Sequence, residues 1–243
     1  MLATGDVHVW RFSLDQSPTI VNALRQLLAH DEQTRADRFY FEVDRRHFIA
    51  ARGCLRTILS RYVKTPPEKI RFGYNDYGKP QLATSSAPCQ LVHFNATHSG
   101  GLALYAFTSL GEIGVDVEHI SPEFAGADIA RRFFSSTEVA CLEKLPSEMQ
   151  PRAFFNCWTR KEAFIKAKGV GLSLPLDQFD VTLAPAEPAT ILRTGWDENE
   201  AALWSLRTID AGPAYAAAVA LRAHDWRLGL WQVEEEAMLR YGF

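Results

Sequence analysis

Apolar and polar residues alternate through Ile113-Gly114-Val115-Asp116-Val117-Glu118, which predicts a strand with Val115 and Val117 toward a core and Asp116 and Glu118 together on the other face. Residues 93–97 and 102–108 flank Ser99-Gly100-Gly101 and read as the two arms of a hairpin. Residues 7–12 predict an opening strand and residues 214–221 a late one. Helical spacing predicts a long helix over residues 31–62, with Phe48, Cys54, Leu55, Ile58 and Leu59 on its apolar side and Pro66 and Pro67 beyond its end. The segment between the opening strand and this helix reads as a polar connector. A second helix is predicted over residues 151–168, with the stripe Phe154, Trp158 and Ile165, and it stops at Gly169. Tyr77-Gly78-Lys79-Pro80 reads as a turn.

A faint repeat runs through these elements at a spacing of about 111 to 116 residues. Phe48-Ile49-Ala50-Ala51-Arg52-Gly53 is echoed by Phe164-Ile165-Lys166-Ala167-Lys168-Gly169, and Leu104-Tyr105-Ala106-Phe107 by Tyr215-Ala216-Ala217-Ala218. The fold class expected is α+β, built as a pseudo-twofold pair of similar lobes over residues 1–111 and 112–243. The cleft between such lobes is a favoured place for a ligand.

Composition narrows the functional class. The 243 residues are 47% hydrophobic, enough for a substantial core, and no apolar run approaches the roughly 20 residues that cross a bilayer. The first ten residues lack the basic start and apolar stretch of a secretory leader, so a cytoplasmic protein without membrane association is expected. The net charge of −3 argues against a nucleic-acid protein. Cys54, Cys89, Cys141 and Cys157 are scattered and form no metal or disulfide pattern. One local feature departs from the whole: seven arginines (35, 38, 45, 46, 52, 56 and 61) stand against three acids over residues 35–61. Such a run is either a solvated helix face or a place for phosphates.

Chemistry enters with the carboxylates. Asp116 and Glu118 side by side repel, and a hard divalent cation with oxygen ligands relieves that repulsion; the plainer alternative is a solvent-facing acidic pair. In the second helix, Lys161 and Glu162 fall on either side of the apolar stripe, where a half-buried charge needs a partner. Lys166 follows Glu162 by one turn, so the two form either an intrahelical ion pair or a third metal carboxylate beside a phosphate-neutralising ammonium. His98, where a strand meets its turn, is either a surface histidine or a phosphate donor.

Four blocks in this order resemble the surfactin-type 4′-phosphopantetheinyl transferases: Tyr77-Gly78-Lys79-Pro80, Phe94-Asn95-Ala96-Thr97-His98-Ser99-Gly100, Ile113 to Glu118, and Trp158-Thr159-Arg160-Lys161-Glu162-Ala163-Phe164-Ile165-Lys166. The likeness spans about residues 35–180 and includes Arg132-Phe133-Phe134-Ser135-Ser136-Thr137-Glu138 and Gly171-Leu172-Ser173-Leu174-Pro175-Leu176. It implies a monomer of two α+β lobes with coenzyme A between them. It also implies Mg²⁺, with Mn²⁺ a possible substitute, held by Asp116, Glu118 and Glu162. Lys166, with Lys161, would face the pyrophosphate; Arg35, Asn95, Thr97 and His98 would contact the nucleotide with its 3′-phosphate; Tyr77, Gly78 and Lys79 would form the loop against adenine. Glu32 stands where some members carry a lysine, and Phe48 where a hydroxyl residue can touch phosphate; Arg38, Arg46 and Arg52 are candidates to compensate.

The implied reaction moves 4′-phosphopantetheine from coenzyme A to a serine of an apo acyl or peptidyl carrier protein, or of a polyketide carrier domain. Glu162 is the expected base, directly or through a water, with Asp116 and Lys166 completing the catalytic set. Two rival readings are a silent carrier or coenzyme A binding module and a Mg²⁺-dependent phosphodiesterase using water in place of the serine. Carrier docking is expected in the segment 121–141, through Phe124 and Ile129 with Arg131 or Arg132.

Overall fold

The structure is a computed structural model and describes residues 2–83, 92–121, 123 and 126–234, the side chain of Leu172 excepted; Cys89 and Phe124 lie outside the described residues. In chain order the elements are β1 (Asp6–Ser13), α1 (Pro18–Gln26), α2 (His30–Ala36), α3 (Glu42–Val63), β2 (Phe72–Tyr74), β3 (Pro80–Leu82), β4 (His93–Ser99), β5 (Leu102–Thr108) and β6 (Ile113–His119). They continue as α4 (Ala127–Phe133), α5 (Ser136–Lys144), α6 (Gln150–Lys168), β7 (Phe179–Val181), β8 (Ile191–Thr194), β9 (Ser205–Thr208), β10 (Tyr215–Leu221) and β11 (Arg227–Gln232). This is a mixed α+β chain. No helix among the described residues is long and apolar enough to cross a membrane.

Two sheets carry the architecture, one ordered β11-β1-β5-β4 and the other β6-β10-β9. Strand alternation sorts their side chains. On β5, Tyr105 and Phe107 pack with Leu24, Cys54, Leu55 and Ile58 of α1 and α3. Leu104 and Ala106 point the other way, into a cluster with Val115, Val117 and Val219 of the second sheet. On β10, Ala216, Ala218 and Ala220 join Phe164 and Ala163 of α6. The order is therefore helices, sheet, sheet, helix, and each fully buried Leu, Val or Phe contributes about 1.5–3 kcal/mol.

Two expectations are corrected, and one late strand joins the first sheet. The connector after β1 contains α1: Ser17 caps it, accepting from the Ile20 N–H, Pro18 begins it, and Ile20, Val21 and Leu24 face the core. The single helix expected over residues 31–62 is two helices, α2 and α3. Phe39, Tyr40, Phe41 and Val43 crowd five positions and cannot share one helical face; the chain turns there, leaving Tyr40 92% exposed. Finally, β11 runs parallel to β1, so the last described strand returns to the first sheet and does not stay with residues 112–221.

The echoed glycines serve different ends. Gly169 sits at φ +70° and ends α6 in the left-handed region. Gly53 lies inside α3, where a Cβ would come within 2.6 Å of Leu24 Cβ, so it admits α1.

Candidate functional site

Gly114 sets the geometry of the site. A Cβ there would lie 2.0 Å from the Ala163 carbonyl oxygen and 2.3 Å from the Ala167 nitrogen, so only glycine lets the α6 backbone rest directly on β6. This contact suspends Glu162 and Lys166 over the strand face that carries Asp116 and Glu118. A glycine interrupting a valine-rich strand was the available signal for that close approach.

Asp116 is 3% exposed and sits at the centre. Its Oδ1 accepts from Lys166 Nζ at 2.6 Å and from Thr97 Oγ1 at 3.0 Å, and Lys166 also donates to Thr97 Oγ1 at 3.2 Å. The ion pair of Lys166 is thus with Asp116 across the helix–strand gap, not with Glu162 along the helix. Asp116 Oδ2 is buried without a hydrogen-bond partner. Glu118, half-buried, accepts from Ser99 Oγ at 2.7 Å. Burial raises the pKa of all three carboxyls: in Asp116 it outweighs Lys166, Thr97 and the Val117 N–H, in Glu118 it outweighs Ser99 and adds to repulsion by Asp116, and in Glu162 it adds to repulsion by Asp116 and Glu118.

Strand β4 runs along β6 and joins it through alternate side chains. The Val115 N–H donates to Asn95 Oδ1 at 2.9 Å, Thr97 donates to Asp116, and Ser99 Oγ accepts from the His119 N–H at 3.1 Å while donating to Glu118. Asn95 is buried, its carbonyl oxygen engaged in this seam. His98 faces the opposite way at the open edge. Crowding by surrounding protein, then the charges of Lys166 and His47, lowers its imidazole below the ordinary value.

The other expected contacts divide. Tyr77 is exposed, and Gly78 adopts φ +80° in a turn organised by Asn75, whose Oδ1 accepts from the N–H groups of Tyr77 and Lys79 and whose Nδ2 donates to the Gly169 carbonyl at 2.7 Å. The Lys79 ammonium is engaged by Glu112 at 2.7 Å and by the carbonyls of Ile113 and Ala167. With His93 donating first and Lys79 next, Glu112 is held down to about 2. Arg35 is exposed at the end of α2, its guanidinium 5.1 Å from the Phe48 ring centre. Arg52 and Arg56 both pair with buried Glu32, and Arg45 with Glu42. Two of the seven arginines are therefore tied to an internal acid, and Arg52, one of the candidates to compensate for a missing phosphate contact, is committed to Glu32.

Lys161 is corrected outright. It is 0% exposed, on the far side of α6, and its ammonium pairs with Glu138 at 2.8 Å and donates to the carbonyls of Leu176 and Phe179. Arg160 is likewise buried, bonding Thr182 and the Glu187 carbonyl. Rotation of about 100° per residue takes positions 160 and 161 into the fold and leaves 162 over the strand.

Beside Glu118 and Ser99 lies a groove of about 410 Å³ walled by Ile129, Phe154, Phe155 and Trp158. Among the described residues no group of three His, Cys, Asp or Glu side chains is arranged to hold a metal ion as it stands. The donor set nevertheless fits a hard cation: three carboxylates share one ammonium, and a buried oxygen of Asp116 lacks a partner.

Sequence profiles of two related families match successive stretches. A profile described as 4′-phosphopantetheinyl transferase, N-terminal, matches residues 10–109, and the 4′-phosphopantetheinyl transferase superfamily matches residues 112–220. The chain is similar to the 4′-phosphopantetheinyl transferase HetI of Nostoc sp., 38% identical over 95% of this chain and 93% of the relative. It is also similar to the 4′-phosphopantetheinyl transferase Sfp of Bacillus subtilis, 31% identical over 87% of this chain and 90% of the relative. Human L-aminoadipate-semialdehyde dehydrogenase-phosphopantetheinyl transferase is 30% identical over 80% of this chain and 67% of its own length. With this coverage and the α6–β6 cluster in place, the chain belongs to the Sfp-type 4′-phosphopantetheinyl transferase superfamily and is a transferase.

Proposed function

We propose that this enzyme transfers 4′-phosphopantetheine from coenzyme A to a serine of an apo acyl, peptidyl or polyketide carrier protein and releases 3′,5′-ADP, with Mg²⁺ or Mn²⁺ at Asp116, Glu118 and Glu162. The observation that carries this reading is the unpartnered, buried Oδ2 of Asp116 beside two further carboxylates whose pKa values are raised. A site so short of positive charge is completed by a divalent cation and a diphosphate. When bound, the cation supplies charge neutralisation for that diphosphate.

The chain's residues do the remainder. Glu162 accepts the serine proton, directly or through a water, as the serine oxygen bonds to the β-phosphorus of coenzyme A. The bond from that phosphorus to the bridging oxygen breaks, and its electron pair leaves on 3′,5′-ADP. Base catalysis of this kind contributes about 10²- to 10⁴-fold. Lys166, neutralising charge on the diphosphate, and the rigid seat of α6 on Gly114 supply positioning, a larger contribution. Arg35 and His98 meet the 3′-phosphate, Thr97 holds Asp116 and Lys166 in place, and the Tyr77-Gly78 turn meets adenine.

The same reading divides the chain into lobes at residues 1–111 and 112–243 in pseudo-twofold relation, with β11 of the second crossing back to pair with β1 of the first. The abutting matches at 109 and 112 and the two helix-on-sheet halves support it. It describes a cytoplasmic monomer. Product analysis after incubation with coenzyme A, Mg²⁺ and apo-carrier tests the reaction. Modified carrier with stoichiometric 3′,5′-ADP is expected; free phosphopantetheine would mark a phosphodiesterase, and unchanged coenzyme A a binding module.

A further inference from the structure

We infer that Lys166 is a built-in stand-in for the divalent cation: it holds Asp116 while the site is empty and must leave that carboxylate for the loaded site to form. The inference rests on the metal reading above and adds an order of events to it. Lys166 Nζ is 2.6 Å from Asp116 Oδ1 and 3.2 Å from Thr97 Oγ1, while Thr97 donates to the same Oδ1 from 3.0 Å. These three groups close a small hydrogen-bonded ring in which one carboxylate oxygen is fully engaged. The other oxygen, Oδ2, is buried without a partner.

An isolated buried carboxylate is costly, so an empty site needs a counter-charge, and Lys166 provides it. An ammonium bound to Asp116 Oδ1 also repels a cation approaching the free Oδ2 and withholds one of the two oxygens of that carboxylate. Lys166 is part-exposed and projects from the last turns of α6, so its four-carbon stem can swing away without backbone movement. A diphosphate gives it a new partner of the same charge as Asp116. Cation and diphosphate therefore bind cooperatively: the diphosphate draws Lys166 off Asp116, and the vacated carboxylate takes the cation.

The test is Mn²⁺ binding to the protein alone, followed by electron paramagnetic resonance, in wild type, Lys166→Met and Asp116→Asn. Lys166→Met is expected to bind Mn²⁺ at least about tenfold more tightly than wild type, because a like charge at the same carboxylate is gone. In wild type, 3′,5′-ADP together with pyrophosphate should strengthen Mn²⁺ binding, and in Lys166→Met that gain should shrink. Melting curves check folding: Lys166→Met should melt lower without metal and recover with Mn²⁺ more than wild type does. Equal or weaker Mn²⁺ binding by folded Lys166→Met, with binding lost in Asp116→Asn, overturns the stand-in role while the metal site survives. Mn²⁺ binding unaffected by Asp116→Asn overturns the metal reading itself, and the stand-in role with it.

Discussion

Lys166 and Asp116 meet at 2.6 Å across the gap between the last turns of α6 and the middle of β6. The contact exists because Gly114, two residues before Asp116, has no side chain to hold the helix off the strand. Sequence neighbours and spatial neighbours thus combine: alternation on the strand places the carboxylates, and the glycine brings the helix to them.

Discrimination of the nucleotide is expected to reside in His98. Removal of a charge-assisted bond costs about 1.5–3 kcal/mol, so His98→Ala should weaken coenzyme A by roughly tenfold or more and leave 3′-dephospho-coenzyme A within about twofold. Crowding, Lys166 and His47 lower the imidazole pKa, so its charged form is populated only at lower pH than usual. The preference for the 3′-phosphate should therefore grow as pH falls. Calorimetric titration with both ligands at two pH values checks this, and equal losses for both would remove His98 from that contact.

Lys161 should matter for stability and not for nucleotide binding. Removing one partner of a buried ion pair costs about 3–5 kcal/mol, so Lys161→Met should lower the melting temperature markedly by depriving buried Glu138 of its counter-charge. The double variant Lys161→Met, Glu138→Gln should recover much of it, since the glutamine carbonyl can still accept from Ser135 or Val181 N–H. An unchanged melting temperature with weakened coenzyme A binding would restore Lys161 to the site.

Glu162 is expected to destabilise the metal-free protein at neutral pH. Its folded pKa is raised by burial and by Asp116, so the native state binds its proton more tightly than the unfolded chain does. Stability then falls as pH rises from the ordinary carboxylate value to the raised one, and stays lower above it. Glu162→Gln should therefore raise the metal-free melting temperature at pH 7. The difference should vanish below the ordinary carboxylate range. Thermal melts across pH measure it, and a gain that persists in acid would point to another cause.

These residues also show how far the sequence could be read. The acidic face of β6 was legible because a period of two leaves no choice about which residues share a face, and α6 was legible from its stripe and Gly169. The direction of Lys161 was not: it and Glu162 flank the stripe symmetrically, and only the burial of Glu138 on α5 decides which one turns inward. The arginine run left two readings open for a related reason. Composition cannot tell that Arg52 and Arg56 converge on Glu32 from a turn apart. Helix α1 carried ordinary signals in Ser17, Pro18, Ile20 and Leu24, which its polar neighbours obscured.

The carrier protein is expected to dock over the groove beside Glu118. Ile129 lines it, while Arg131 is already engaged by Asp128 and Glu143, which leaves Arg132 the better cation for an acidic partner. Ile129→Ser and Arg132→Glu should each raise the apparent KM for carrier by about fivefold or more, since an exposed contact in this range is worth roughly 1 kcal/mol. Coenzyme A affinity should not change. Salt should weaken the Arg132 contribution, with a screening length of about 8 Å at physiological ionic strength. Carrier affinity indifferent to both variants and to salt would move the docking surface elsewhere.

The most direct measurement is the rate at which Asp116→Asn modifies an apo-carrier protein, followed by intact mass at saturating coenzyme A and Mg²⁺. Asparagine keeps the size and the acceptor oxygen for Thr97 and Lys166 but removes the charge at the centre of the cluster. The rate should fall by at least about 10²-fold, the scale on which a lost electrostatic contact to the reacting group is felt, with the melting temperature maintained or raised. A folded Asp116→Asn protein that adds phosphopantetheine to its carrier at the wild-type rate would contradict the assignment of this cluster as the active site.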